Sequence, residues 1–342
     1  MVCGCVDTFN TSTEKLADRI VVEGGITTQP PPYLVTLSST SNFSQNIDGI
    51  SRFISGAQIT ICADDGVCIP LFEVSKGKYS TAIDVARGEI GKSYHVKIST
   101  AEGKSIQSIP EKINASPPIT RGYVEYDPVT LRDAGFQVYI DSEDTDQEKN
   151  FYKWETENFY PYSGFCFNRI YEKEIGRISS DKFINGNTLS RVKVKSVPFE
   201  STSTWVVQVY QLAISETAFE YFDLIKKQTN TTGSIFDPPP SFLRGNLVNN
   251  SNPDEEVLGY FVVAGVSRLD VVIDRTVSGL SPRPFVGTVN DPIYCGVPCN
   301  TLCVAFNGGK CGNRPCPPDC ALLSGKTNVA PDAWPYPHRE CE

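Results

Sequence analysis

Histidine is nearly missing from the chain: His95 and His338 are the only two. Nucleophilic hydrolysis needs a base beside the nucleophile, usually histidine, and neither of these has a motif around it. There is no Gly-x-Ser-x-Gly, no phosphate loop and no His-Glu-x-x-His. Forty acidic residues offer so many carboxylate pairs that pairing alone says nothing about glycoside hydrolysis. The sequence therefore reads as non-enzymatic, with no cofactor. A basic excess is missing too. Net charge is −9 and the pI about 5.0, which argues against a grip on nucleic acid phosphates and against adhesion to anionic lipid through a basic patch. No apolar run approaches the roughly 18 residues of a membrane span. Stretches such as YFVVAGV at 260–266 are strand-sized.

What the chain does have is cysteine, 12 in 342 residues. Exported chains use cysteines as staples, whereas cytosolic ones seldom carry so many outside metal sites. Five Asn-x-Ser/Thr triplets, at Asn10, Asn42, Asn114, Asn230 and Asn249, carry little weight in so Asn/Ser/Thr-rich a chain. Cys62 and Cys68 flank the turn ADDGV and are expected to bridge the arms of a hairpin. Because Cys62 shares a strand side with Gln58 and Thr60, both are expected to face solvent. The tail holds Cys295, Cys299, Cys303, Cys311, Cys316, Cys320 and Cys341, and Cys166 brings this set to eight. Disulfides fit it best, one of them to Cys166, although the Cys-x₃-Cys spacings leave zinc as a competing reading. Cys3 and Cys5 remain. Too close in sequence to bridge each other, they sit in Val2-Cys3-Gly4-Cys5, a lipoprotein cleavage pattern with Cys5 as the acyl acceptor. Ordinary thiols at a frayed end are the alternative.

The strand signals are dense. RIVVEGGI, YLVTLSS, GAQITIC, GVCIPLFEV, GKYSTAI and KSYHVKIST predict a β-sandwich over 19–112. Residues 113–121, with Pro117-Pro118, read as a linker. A second β-rich domain is expected over 122–289, from GFQVYI, NFYKWETENFY, SRVKVKSV, STWVVQVYQLAI, LGYFVVAG and LDVVID. It is interrupted by one helix at 215–228, with Ala218, Phe219, Phe222 and Ile225 on one face. Residues 1–18 are a tether and 290–342 a cysteine-rich tail, so the fold class is mainly all-β. For binding, Trp154, Tyr160 and Tyr162 could stack on sugar or grip a peptide, although aromatics at that density usually fill a core. Asp141, Glu143, Asp144, Asp146 and Glu148 could hold calcium, but they lack EF-hand spacing and read as a solvated turn, so no metal is assigned.

In this order the motifs resemble a known family. The amino-terminal cysteine, RIVVEGGIT, YLVTLS, GAQITI before an Asp-Gly turn, GKY, SYHVKI and EGKSIQS carry the first part. SPPI, YKWE, DPPPSFLRGNLVN, VLGYF and TNVAPDAWP carry the rest. The chain is similar to the Bacteroidota outer-membrane lipoproteins grouped as domain of unknown function 4249. The tail departs from that pattern in its cysteine number. The resemblance implies an immunoglobulin-like first domain, similar to modules on carboxypeptidases and TonB-dependent receptors. It also implies an outer-membrane location, by lipid anchor and exposed at the cell surface. The implied role is accessory to a SusC-like TonB-dependent transporter, with no catalytic residues to carry over. A freestanding adhesin or carbohydrate- or peptide-binding module is the alternative.

Overall fold

The computed structural model describes residues 18–40, 52–127, 135–143, 150–163, 166–172, 177–180, 188–198, 204–229 and 243–274, with 277, 326–327 and 332–333. Strands come first: β1 (Ile20–Thr27), β2 (Leu34–Ser39), β3 (Arg52–Phe53), β4 (Gln58–Ala63), β5 (Cys68–Ser75), β6 (Lys78–Ser80), β7 (Ser93–Ser99), β8 (Ser105–Ser108) and β9 (Glu111–Lys112). Then follow β10 (Ile119–Asp127), β11 (Gly135–Glu143), β12 (Phe151–Ser163), β13 (Cys166–Glu172), β14 (Ile178–Ser180), β15 (Thr188–Pro198) and β16 (Trp205–Ile214). The only helix among the described residues, α1 (Glu216–Thr229), precedes β17 (Leu247–Asn249), β18 (Leu258–Ile273) and β19 (Lys326–Thr327). The chain is mainly β, as its β-branched, alternating segments imply.

Two sandwiches result. In the first, β18-β1-β2-β6-β5 forms one sheet and β5-β4-β7-β8-β17 the other, β5 passing from one to the other. Between them lies an apolar core that includes Val22, Ile26, Leu37, Ile61, Val96 and Phe261. In the second, β18-β16-β12-β13 packs on the three-stranded sheet β10-β11-β15. Tyr152, Trp154, Val209 and Val271 from the one meet Phe136, Val138, Ile140 and Val194 from the other.

Strand β18 belongs to both. Its first half runs parallel to β1, from Val21 opposite Leu258 to Thr27 opposite Ala264. Its second half runs antiparallel to β16, from Ala213 opposite Gly265 to Trp205 opposite Ile273. Sixteen residues of strand reach about 50 Å, enough to cross two small sandwiches. LGYFVVAG and LDVVID, two strand segments in the sequence, are thus one element. Leu247, Val257, Phe261 and Val263 complete the first core although they follow the whole second sandwich in the chain. Gly259 is fitted to the contact with β1: its φ is +94°, and a side chain there would meet the Val22 carbonyl.

The segment expected as a linker is docked. Gln211 Nε2 donates to the Pro117 carbonyl at 3.0 Å, and Ser142 Oγ to the Pro118 carbonyl at 3.2 Å. From Ile119 onward the segment is already strand. Helix α1 is capped by Ser215, whose Oγ accepts from Ala218 N at 3.0 Å, and carries Lys226 and Lys227 in its last turn. Ala218 and Phe222 bury against Leu212, Ile214, Tyr260 and Ala264, so the helix covers the stretch of β18 where its partner changes. Below it, Tyr260 and Thr217 hydroxyls and Asn246 Nδ2 all donate to Oε1 of the buried Glu111. Burial raises the Glu111 carboxyl above its ordinary range, although these donors oppose the shift.

Cys62 and Cys68 are bonded to each other across the hairpin. The expectation that both face solvent holds only for Cys68. Cys62 is buried, because β4 is flanked on both sides: Cys68 stands opposite it on β5 and His95 on β7.

Candidate functional site

Strand β12 is the segment YKWETENF that sequence alone marks as aromatic. Its even positions, Tyr152 and Trp154, face the second core. Trp154 is therefore not a ring open to ligand; its Nε1 donates to Gln211 Oε1 at 3.1 Å inside the protein. Tyr160 is half-buried and stacks on Trp205, with ring centroids 4.1 Å apart. Side chains of Tyr162 and Cys166 lie outside the described residues, as do Cys5, the seven tail cysteines, Asp144, Asp146, Glu148 and His338.

The odd positions of β12 are charged and yet buried: Lys153 is 3% exposed, Glu155 7% and Glu157 7%. A buried charge is costly unless paired, and here the pairs are present. Lys153 is bonded to Glu155, which also accepts from the Tyr171 hydroxyl. Arg169 Nε reaches Glu157 at 2.6 Å, and Tyr210 donates to the other Glu157 oxygen at 3.2 Å. Gln208 extends the row to Asp270 at 3.1 Å, where Arg268 closes it at 2.8 Å. Burial, and then the neighbouring carboxylates, push the Tyr171 and Tyr210 hydroxyls well above their ordinary range. They remain protonated donors. The ladder is internally matched, which suits it to holding a sheet rather than to moving protons.

The opposite sheet of this sandwich carries a second arrangement on its outer side, with Arg121 and Arg191 exposed and Tyr123, Glu125, Tyr139 and Asp141 half-buried. Alternation on β10 and β11 places Arg121, Tyr123, Glu125, Tyr139 and Asp141 on the outer side. Tyr123 and Tyr139, directly opposite each other, stack with centroids 5.7 Å apart. Arg121 lies 4.7 Å from the Tyr123 ring centre and Arg191 4.7 Å from that of Tyr139. Both nitrogens of the Arg191 fork reach Glu125 at 2.7 Å. Arg191 sits in a bulge of β15 with φ +57°, and its backbone N–H is held by Asp141 Oδ1 at 2.8 Å. Left-handed backbone at a residue other than glycine is uncommon and concentrates at functional sites. The acidic pair Asp141 and Glu143 thus serves, through Asp141, to fix a bulge. Among the described residues no three His, Cys, Asp or Glu side chains converge as a metal would need.

This face went unread in the sequence, although ITRGYVEYD carries the signal: Arg121, Tyr123 and Glu125 alternate on one side of a strand. His95 stands beside Cys62, whose sulfur is already bonded to Cys68, and burial lowers its basicity. A family model described as Domain of unknown function (DUF4249) matches residues 6–270. No curated protein matches the chain.

Proposed function

Because the chain belongs to the DUF4249 family, we propose that it is a non-catalytic binding subunit of an outer-membrane transport complex. In this reading it is a Bacteroidota lipoprotein, acylated at Cys5 and displayed at the cell surface, that accompanies a SusC-like TonB-dependent barrel. The observation that carries the reading is the outward tyrosine–arginine face, in which exposed Arg121 and Arg191 flank the half-buried stack of Tyr123 and Tyr139. Tyrosine and arginine dominate the hot spots of protein interfaces, and a stack that already holds them in place lowers the cost of ordering them on binding. The thirteen residues 6–18 would hold the first sandwich within about 45 Å of the anchor. Tethering raises effective concentration, so a modest affinity suffices for a persistent complex. Helix α1 is a weaker candidate for contact, since its apolar face is spent on the junction.

The test is gentle solubilisation of native outer membranes and purification through a tag on this chain. A TonB-dependent barrel should accompany it in near-stoichiometric amount, and Arg191→Gly should lose the barrel while remaining folded. Cys5→Ser should release the protein from salt-washed membranes. The second reading, a freestanding adhesin or carbohydrate- or peptide-binding module, draws on the same ring face. Recovery of the anchored protein alone would favour it.

A further inference from the structure

Net charge speaks against lipid binding for the chain as a whole, yet the fold collects a different composition at one end of the first sandwich. Arg19 is held there by Thr40, so the chain that precedes Asp18 joins the molecule at this end. The β5–β6 turn lies beside it: Leu37 N donates to the Gly77 carbonyl at 2.8 Å, and Phe53 of β3 pairs with Ser38. The Phe53 side chain rests on Gly77, whose φ of +67° and crowded position admit no Cβ. On either side of that glycine stand Lys76 and Lys78, both exposed, with no carboxylate in salt-bridge reach among the described residues. Arg52 is next, 3.8 Å from Asp18. Two further acids stand close by: Glu73 is turned toward the N–H groups of Gly56 and Gly77, and Glu256 is paired with Arg19 and Arg244. The outer side of the same strands shows Val74 at 64%, Phe72 at 61% and Leu34 at 56% exposure, Phe72 and Leu34 flanking Ser80 in register.

We infer that the Lys76–Lys78 turn, β3 and the adjoining Phe72–Val74 strip form a surface that rests on a bilayer bearing anionic headgroups. The inference rests on the amino-terminal anchoring proposed above. An anchored chain that joins the protein at this end brings this end to the membrane. Exposed apolar side chains rimmed by lysines are suited to the boundary of headgroups and acyl chains: the apolar groups enter it, and the long lysine stems keep their charge at the surface. The second sandwich, carried away along β18, would then stand farther from the bilayer and present its tyrosine–arginine face to a partner.

The test uses the full chain as Cys5→Ser, so that no acyl chain contributes. It should float with phosphatidylethanolamine vesicles that contain phosphatidylglycerol, not with phosphatidylcholine vesicles, and less as salt rises. Lys76→Glu with Lys78→Glu should weaken flotation roughly tenfold or more. Val74→Ser should weaken it at unchanged charge, and Lys193→Glu on the second sandwich should leave it unchanged. All four positions are exposed, and an unchanged melting temperature verifies the fold. The inference is overturned if the double charge reversal floats as well as its parent, if Lys193→Glu costs as much, or if vesicle charge makes no difference. Its failure is separable from that of the anchor. Release of Cys5→Ser from cell membranes together with indifference to vesicle charge removes the surface and leaves the anchor. Full retention of Cys5→Ser after a salt wash removes the anchor.

Discussion

The two sandwiches treat the outer side of their central strands differently. On β7 of the first, inward Tyr94, Val96 and Ile98 alternate with Ser93, His95, Lys97 and Ser99, which are half-buried or exposed. On β12 of the second, every residue from Tyr152 to Phe159 is buried, including Lys153, Glu155 and Glu157. Over Tyr152–Glu155 the alternation in the sequence is the same as on β7, although Thr156 and Asn158 farther along are polar. It states which residues share a side and is silent on whether that side meets water. In the first sandwich one apolar core does the holding; in the second, an apolar core on one face of the sheet is joined by a matched ionic ladder on the other.

The sharpest way to break this comparison is to weaken the strand the two have in common. Phe261→Ala removes a fully buried ring from β18 and should cost about 3–5 kcal/mol. Both sandwiches should then unfold in one denaturant transition at a lower midpoint. Two separated transitions would mean that β18 does not couple them.

Next in size is the contrast of outer-side charges. Glu155→Ala takes from buried Lys153 its carboxylate and should cost about 3 kcal/mol. Lys97→Ala, on the outer side of β7, should stay within about 0.5 kcal/mol. Equal losses in urea titrations would erase the distinction drawn between the two sheets.

Replacing Cys62 and Cys68 together by serine should cost about 2 kcal/mol, since the closed loop is short. The loss should be seen as a lower midpoint under oxidising conditions and should vanish when wild type is measured reduced.

The smallest effect concerns the junction. Burial raises the folded-state pKa of Glu111 above its unfolded value of about 4.3. Its contribution to stability is therefore full below that unfolded value and is lost as pH rises through the raised folded one. Glu111→Gln keeps an acceptor for Tyr260 and cannot ionise. Relative to this variant, wild type should lose stability from about pH 4 toward neutrality. A constant difference across that range would show that Glu111 does not titrate with folding.

Several features were legible because they are local. The Cys62–Cys68 hairpin follows from two cysteines around an Asp-Gly turn, and helix α1 from Ser215 followed by apolar residues on one face. Trp154 and Tyr160 show where locality ends. They lie six residues apart in one aromatic run and share a strand side, yet Trp154 is buried in the core, whereas Tyr160 is half-buried against Trp205 of the neighbouring strand. The tyrosine–arginine face needed two facts at once, the alternation on β10 and the opposition of Tyr123 to Tyr139, and only the first is written along the chain.

By itself, then, the sequence determined the class of the fold, most of the longer strand segments, the hairpin staple and the family, all of which depend on residues near one another or on their order. Tertiary structure decided the rest. It joined the two sandwiches through one strand that arrives after both have begun, buried Lys153, Glu155 and Glu157 on a strand side that reads as solvent-facing, and gathered Lys76, Lys78 and Phe53 at one end of a chain of net charge −9. The physical reason is the same in each case. Burial and charge neighbourhood are properties of what comes to lie beside a residue, and here the neighbours come from far along the chain.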